Sequence, residues 1–362
     1  MTLKIDYPNN NLMSLRHAVE ALLSLTGDRR HVLYDAVALS QLLDRIDHIG
    51  SDMLRQDTRA LYEVHEALFV LNEKDVSMPG PNCLRSQFDP TFLAIRSKLE
   101  SWADRYERER IPVDIPSGLS ADDTLAEIVT IWKTHSSANH PIFEYVRATA
   151  SRQAIREYLR SDYLLNIRFY DLVVYSLIGI DERVRFEVAH NLWDEVGQGD
   201  PSKTHVQLYR DLLGSEGIDP CTEVLARHLS WQGLAGYNLM MRHGLHRNRY
   251  FESLGSLAVT ELADPEQYRK FVEGCRRVGI GKNNPAGLAY YEEHISIDVI
   301  HGDGWLRNVI RPQLQTYPEA SPIVLSGVHQ RLNTAKDYWD ELLDRMRRID
   351  MSIDQAGVGV AA

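Results

Sequence analysis

The chain has 362 residues, of which 44% are hydrophobic and 25% are charged, and its formal net charge is −11. This composition is ordinary for a globular protein, and the negative charge argues against binding to nucleic acid or to an anionic membrane. The sequence has no apolar run of membrane-spanning length, no signal-peptide pattern and only three scattered cysteines (Cys83, Cys221, Cys275), so we expect a cytoplasmic protein without disulfides.

Helical periodicity dominates the chain, and no convincing run of alternating strand residues is present. Ser120 is a good N-cap for one N-terminal helix, because its hydroxyl can accept a hydrogen bond from the first turn. The helices predicted before the polar segment THSSANHP cover residues 12–26, 32–50, 52–73, 91–109 and 121–134. We therefore expect an N-terminal helical region over 1–138, with the main domain beginning at 139.

Longer helices follow this boundary, and three of them are predicted to begin at Asp200-Pro201, Asp264-Pro265 and Asn284-Pro285. Asp or Asn caps the first turn, and a proline at the next position has no N–H to leave unsatisfied. Glycines are predicted to end the preceding helices at Gly197, Gly281 and Gly302. The predicted helices are 147–179, 183–196, 201–214, 222–243, 249–263, 265–279, 285–301, 303–315 and 320–348. We expect an all-α domain over 139–348 and a flexible tail over 349–362.

The motif His294-x-x-x-Asp298-x-x-His301 is the most informative feature of the sequence. Residues at i, i+4 and i+7 of an α-helix return to nearly the same face, which brings two imidazoles and a carboxylate together. That ligand set suits non-haem iron. A polar helix face with two incidental histidines is the alternative that this triplet leaves open.

Two upstream segments carry further candidate ligands, Glu195 with His205 and, later in the chain, Glu261. The tight turn between Glu195 and His205 can direct both side chains to one point, and a carboxylate at a helix C-terminus is disfavoured unless a positive group compensates it. Glu261 is the ionisable residue of an apolar stretch, and a lone buried carboxylate is costly unless it is paired or metal-bound. An exposed position is the structural alternative for both glutamates.

Together these residues supply three histidines and three carboxylates, enough for two iron ions with open positions for O2 and a substrate. Two Fe(II) ions carry four positive charges against three negative ones, so the buried charge is nearly compensated. A competing E-x-x-H motif, Glu187 with His190, is typical of ferritin-like di-iron bundles, which need two such motifs. Residues 142–362 contain no second one, so we interpret this pair as a surface pair or a support for the ligands.

The run N-L-W-D-E-V-G-Q-G-D followed by a histidine, then an isolated glutamate, then H-x-x-x-D-x-x-H, resembles the haem-oxygenase-like di-iron oxidases and oxygenases. The resemblance covers residues 140–345. It implies a seven-helix haem-oxygenase-like bundle with the site between the core helices. By position, the metal ligands that it implies are Glu195, His205, Glu261, His294, Asp298 and His301. It also implies a further carboxylate ligand on the first core helix, for which Asp162 is the candidate and Asp171 the fallback.

Within that family the chain most resembles the N-oxygenases, because it has the N-terminal helical region and the motif D-E-x-G-x-G. It lacks the C-terminal cupin domain of the nitrosourea-forming enzyme. The resemblance implies two Fe(II) per chain, O2 as co-substrate and an external electron donor. The reaction that it implies is N-hydroxylation of an amine or guanidine in a natural-product precursor through a peroxo-di-iron(III) intermediate.

The partners implied are a small-molecule amine, free or bound to a carrier protein, and a second copy of the chain, which forms a homodimer through the N-terminal helices. Intramolecular packing of those helices is the alternative. Oxidative C–C cleavage or desaturation by the same cofactor is the alternative reaction. A non-catalytic helical metal-binding protein is the alternative outside enzymes.

Overall fold

The computed structural model describes residues 14–23, 36–80 and 88–358, and all regular structure in these ranges is helical. By compactness the chain forms two units, Met1–Arg110 and Ile111–Ala362. None of the described helices is both long enough and apolar enough to cross a bilayer. Cys83 and residues 1–13 lie outside the described ranges.

Two helices of the first unit follow aspartate caps. Asp57 and Asp89 accept hydrogen bonds from Ala60 N–H and Thr91 N–H at 2.8 and 2.9 Å, so the helices begin directly after them. The described helices are α1 (Leu15–Leu23), α2 (Ala36–Leu54), α3 (Thr58–Val76) and α4 (Pro90–Arg108). The dimer contact expected of this region stays a prediction.

The second unit contains the rest of the described chain. Its other helices pack around two long ones, α12 and α15. Its helices are α5 (Ala121–Thr134), α6 (Pro141–Ala148), α7 (Arg152–Leu177), α8 (Glu182–Glu195), α9 (His205–Ser215), α10 (Thr222–Ala226), α11 (Trp231–Leu245), α12 (Tyr250–Val278), α13 (Ala289–Gly304), α14 (Arg311–Thr316) and α15 (Ser321–Val358). Single turns at Gly197–Gly199, Arg247–Arg249 and Pro318–Ala320 are 3₁₀, and Trp305–Ile310 is a π-helical segment between α13 and α14.

Helices α12 and α15 cross at two glycines. A Cβ on Gly255 would overlap with the Val324 carbonyl, and a Cβ on Gly327 would overlap with the Glu252 carbonyl. Ser256 joins the same crossing by donating a hydrogen bond from its hydroxyl to the Gly327 carbonyl at 3.0 Å. Close backbone approach of this kind needs residues without side chains. The two glycines therefore let α12 pack directly against α15.

The predicted helix start at Asp264-Pro265 is wrong, because α12 runs through Pro265 without a break. The proline has no N–H for the Glu261 carbonyl, which would be its partner four residues earlier. The helix continues because it is buried on both sides of this position, with Thr260, Glu261, Gln267 and Tyr268 all largely inaccessible to solvent. Tertiary packing thus overrides the local signal.

The other Asp-Pro and Asn-Pro pairs form turns instead of helix starts. Asp200 accepts hydrogen bonds from the Ser202 backbone and hydroxyl at 3.0 and 2.7 Å, and Thr204 is the residue that caps α9. Asn284 accepts a hydrogen bond from Ala286 N–H at 3.3 Å, and α13 begins only at Ala289. An aspartate or asparagine can close a local turn as readily as it caps a helix.

Gly197 follows the last turn of α8 as predicted, whereas the other two predicted glycine stops differ from the structure. Gly279, with φ +76°, caps α12 in place of Gly281. Gly302 does not end its helix, since α13 extends to Gly304. A Cβ on Gly302 would press on Leu262 and a Cβ on Gly304 would overlap with Glu187, so these two glycines serve close packing.

The division between the compact units falls before α5, whereas the sequence placed α5 in the N-terminal region. In the second unit, Thr124 of α5 shares a hydrogen bond of 2.7 Å with Ser321 at the start of α15. Ser120 caps α5 as predicted. At the other end, the expected tail is helical from residue 349 as far as Val358, and residues 359–362 lie outside the described ranges.

Candidate metal centre

The residues predicted as the six main ligands come together in the structure as two groups of three. In each group, one ligand atom from each residue lies within 4.8 Å of the others, and all six residues are buried. The first group is Glu195, His205 and His294; the second is Glu261, Asp298 and His301. Metal ligation by these residues stays a prediction.

The first group is built by a sharp turn between α8 and α9. Glu195 is the last residue of α8 and His205 the first of α9, with 2.9 Å between Glu195 Oε2 and His205 Nδ1. The turn is possible because Gly197 and Gln198 adopt left-handed conformations, with φ of +68° and +53°. His294 of α13 completes the group, and its ring centroid lies 4.3 Å from that of His205.

His294 is held as a neutral imidazole with one nitrogen free for a metal. Its Nδ1 lies 2.5 Å from the Tyr290 carbonyl, and a carbonyl can only accept, so Nδ1 carries the proton. Burial, reinforced by the neighbouring His205, lowers the pKa of His294 to about 3. Its Nε2 lone pair is therefore available to a cation at neutral pH.

The second group joins α12 and α13. His301 Nδ1 lies 3.5 Å from Glu261 Oε2 and 3.8 Å from Asp298 Oδ1. The other Glu261 oxygen accepts a hydrogen bond of 2.9 Å from the Asn191 side chain of α8. Burial, with Glu261 and Asp264 nearby, raises the pKa of Asp298 well above its ordinary value, as expected for carboxylates crowded together without a cation.

Asp194 is a further residue of the centre that the sequence analysis missed. Its Oδ2 lies 3.0 Å from His301 Nε2, and its Oδ1 accepts a hydrogen bond of 2.8 Å from Gln198 Nε2. A carboxylate on one imidazole nitrogen turns the other nitrogen toward the metal in many metalloproteins. The signal was the Asp-Glu pair in N-L-W-D-E-V-G, but its partner lies on a helix far along the chain, so no local pattern could identify it.

The two basic histidines owe their pKa values to these carboxylates. Burial alone would lower the pKa of His301, but the neighbouring carboxylates of Glu261 and Asp194 outweigh it and raise the pKa to about 9. Burial likewise opposes the charge on His205, yet Glu195 raises its pKa above the ordinary value. Without a metal, bound protons on these groups reduce the repulsion between the carboxylates of the centre.

Buried atoms without hydrogen bonds provide a test of whether a metal fits. Among the described residues, His205 Nδ1, His301 Nδ1 and Asp298 Oδ2 are inaccessible to solvent and lack a partner in hydrogen-bond geometry. Buried polar groups are nearly always satisfied, so orphaned groups require an explanation. Imidazole nitrogen with carboxylate oxygen is a donor set that suits iron, and an ion in each group would satisfy these atoms.

A cavity adjoins the two groups and contains Asp162. This cavity is lined by Glu195, Glu261, His294 and Asp298 together with Asp162, Asn166, Asp264 and Arg331. Asp162 lies outside both groups and accepts a hydrogen bond of 2.9 Å from Asn166, and burial raises its pKa to about 6. Asp171, the fallback, is 3.5 Å from Arg168 and is not among the residues that line the cavity. A seventh ligand stays a prediction.

The centre also borders a cleft in the surface. The cleft is lined by Asp194, Gln198, Lys203, His205 and Glu293, among others. The competing pair lies apart from both groups, since Glu187 accepts a hydrogen bond of 2.8 Å from Asn308 and His190 stacks on Phe186. The centre therefore borders both the cavity that contains Asp162, called the inner cavity below, and a surface cleft.

Comparison with known proteins identifies the family. A sequence model of a family described as iron-containing redox enzymes matches residues 156–336, which is half of the chain and includes both groups of three. The chain belongs to this family. The haem-oxygenase-like helical fold implied by the resemblance is confirmed, and the chain is accordingly assigned to the iron-containing oxidoreductases.

Two further comparisons accompany the family assignment. None of the curated proteins matches the chain. Among solved structures, a TenA family transcription regulator from Silicibacter sp. TM1040 is similar, with 16% identity and a TM-score of 0.45 over 63% of this chain and 98% of that chain.

Proposed function

We propose that this member of the iron-containing redox enzymes is a non-haem di-iron oxygenase that N-oxygenates an amine or guanidine of a small molecule. The observation that carries the proposal is the pair of adjacent three-residue groups, Glu195, His205 and His294 beside Glu261, Asp298 and His301. Three protein ligands per ion leave coordination positions open for exchange. The positive charge of two Fe(II) ions would nearly balance the negative charge of the three carboxylates. Bound iron would supply the electrons that activate O2.

The protein residues around the centre have distinct roles in this proposal. His294 offers a neutral Nε2 because Tyr290 holds the proton on Nδ1. Asp194 holds His301 so that Nδ1 is directed to the second group. Asn191 holds one oxygen of Glu261 and leaves the other facing the site. The site is therefore preorganised by partners that are not themselves ligands, which lowers the cost of binding the ions.

The stoichiometry of N-hydroxylation determines which other reactants the enzyme requires. One atom of O2 enters between nitrogen and hydrogen, and the other leaves as water with two protons and two electrons from an external donor. The cleft lined by Asp194 and His205 is the surface at which that donor would approach the centre. Asp162 and Asp264 line the inner cavity, where burial raises the pKa of both acids. A cationic nitrogen would favour their ionised forms and be stabilised by them, whereas a neutral hydrocarbon would not, which supports an amine or guanidine.

The test is the product formed from labelled oxygen. Iron-loaded protein, a chemical reductant and ¹⁸O2 are incubated with a panel of amines and guanidines, and the products are analysed by mass spectrometry. One ¹⁸O atom on nitrogen is the expected result. Products that have lost carbon or two hydrogens, with no label on nitrogen, would indicate oxidative cleavage or desaturation instead. A protein that binds iron but consumes no O2 would be a metal-binding protein without this activity.

A further inference from the structure

Arg331 of α15 lines the cavity beside the metal ligands, and only part of its hydrogen-bonding capacity is used. Its Nε donates a hydrogen bond of 3.0 Å to the Thr260 hydroxyl, and that hydroxyl donates in turn to the Ser256 carbonyl at 2.9 Å. Among the described residues, none accepts a hydrogen bond from its two Nη groups or forms an ion pair with them. A guanidinium fixed at Nε presents both Nη groups as a fork.

Two other largely inaccessible arginines are paired directly with carboxylates. Arg96 donates to Asp75 at 2.6 Å, and Arg345 donates to Glu157 at 2.9 Å. Arg331 faces Asp162 and Asp264 across the cavity, but neither carboxylate is within the 4.0 Å of an ion pair. Arg331 therefore lines the cavities with two donor groups that no described residue engages, and these groups are available to a ligand.

The position of Arg331 connects the metal centre to a second cavity. Arg331, Asp162, Leu165 and Trp339 line both the cavity beside the metal ligands and a second one. The second cavity is mainly apolar, with Leu164, Leu229, Gly233, Gly236 and Tyr237 among its lining residues. Of the described residues that line these two cavities, Arg331 alone is a lysine or arginine.

We infer that the substrate carries a carboxylate, which the two Nη groups of Arg331 bind as a bidentate pair, while its nitrogen faces the metal ligands. Thr260 directly precedes Glu261, so the carboxylate subsite adjoins the candidate ligand on α12. The rest of the substrate extends into the apolar cavity. The substrate is then an amino acid or a similar carboxylated amine. That its nitrogen is the atom oxidised rests on the proposed function, whereas the carboxylate subsite does not.

The experiment compares matched ligands for binding to the iron-loaded protein under anaerobic conditions. Calorimetry is run with L-phenylalanine and 2-phenylethylamine, L-leucine and isoamylamine, L-lysine and cadaverine, and L-arginine and agmatine. At least one amino acid is expected to bind about 10- to 100-fold more tightly than its amine, as a charged hydrogen-bonded pair implies. Arg331→Met should abolish that preference, and Arg331→Lys, which keeps the charge without the fork, should retain part of it.

Arg348→Met is the matched control, because Arg348 lies on the same helix with 63% of its side chain exposed; it should leave the preference unchanged. Iron content and the melting temperature of each variant show whether the fold and the centre are intact. An undiminished preference in Arg331→Met, amines that bind as tightly as their amino acids, or no binding by any amino acid of the set would overturn the inference. A carboxylate preference without nitrogen oxidation in the presence of O2 would sink the proposed function and leave the subsite standing.

Discussion

At the scale of single residues, the centre depends on partners that fix the ligands. His294 and His301 are both directed by a hydrogen bond on the nitrogen away from their group, to the Tyr290 carbonyl and to Asp194. The sequence indicated the ligands because helical spacing and unusual buried acids are local properties. It could not indicate Asp194, Asn191 or Arg331 as partners, because each depends on a contact between distant helices.

Asp194→Ala is expected to weaken iron binding by about 10- to 100-fold, since the loss of such a supporting carboxylate frees the ligand imidazole to rotate. Asp194→Asn keeps an oxygen that accepts from His301 Nε2 and should retain most of the affinity. Asp303→Ala serves as the control, because Asp303 is an exposed residue of α13 paired with Arg307. Iron affinity is measured by competition with a chelator. Equal affinities for all three variants would show that Asp194 does not position His301.

His301 also makes the stability of the iron-free protein depend on pH. Its folded pKa of about 9 exceeds the ordinary value of 6.5, so the folded state binds a proton that the unfolded state releases between these values. The sign follows directly: this contribution is complete below pH 6.5 and is lost as the pH rises through about 9. Chemical denaturation between pH 6.5 and 9 should therefore show a falling free energy of unfolding.

His301→Asn removes the titrating group and should flatten this pH dependence, which separates it from the contribution of His205. His17→Asn, at an exposed site in the first unit, is the control and should keep the slope of the unaltered protein. The account of the second group is wrong if all three proteins give the same slope.

At the scale of elements, helix spacing predicted most of the architecture and turn chemistry predicted its details less well. Helix α5 begins after Ser120 as expected, and the i, i+4, i+7 spacing of His294, Asp298 and His301 lies within α13. The predicted helix start at Asp264-Pro265 was wrong because burial of the chain around it outweighs the missing hydrogen bond. The helix starts predicted at Asp200 and Asn284 were wrong because these side chains close turns just before the helices.

The turn between α8 and α9 is the element on which the first group depends. A Cβ on Gly197 would lie 2.6 Å from the Lys203 carbonyl carbon and 2.7 Å from Thr204 N, and φ is +68°. Gly197→Ala is expected to lower the free energy of unfolding by about 1–3 kcal/mol and to reduce iron content, because Glu195 and His205 flank the turn.

Gly214→Ala is the matched control, because Gly214 lies in α9 with open space around the position of its Cβ. That change should raise the free energy of unfolding by about 0.5–1 kcal/mol, since alanine is the better helix former. Denaturant titration and iron analysis of both variants give the comparison. Iron content in Gly197→Ala equal to that of Gly214→Ala would show that the turn does not build the group.

At the scale of the whole molecule, the all-α architecture was predictable because helical apolar spacing dominates the chain and no alternating strand pattern competes with it, and the haem-oxygenase-like fold was predictable from the resemblance. The boundary between the units was less predictable, because the placement of α5 depends on contacts between residues far apart in the chain, such as Thr124 with Ser321. The homodimer and the role of the first unit in forming it stay predictions.

The central claim is that the six buried ligands hold two iron ions that react with O2. The most direct measurement is an anaerobic Fe(II) titration of the apo-protein, followed by rapid mixing with O2 while the visible absorbance is recorded. We expect two irons per chain and a transient absorbance that decays faster with a substrate amine. His294→Ala should lose iron from the first group and abolish the transient, whereas His190→Ala, outside both groups, should keep both. One iron or none in the unaltered protein, with no O2-dependent transient, would contradict the account.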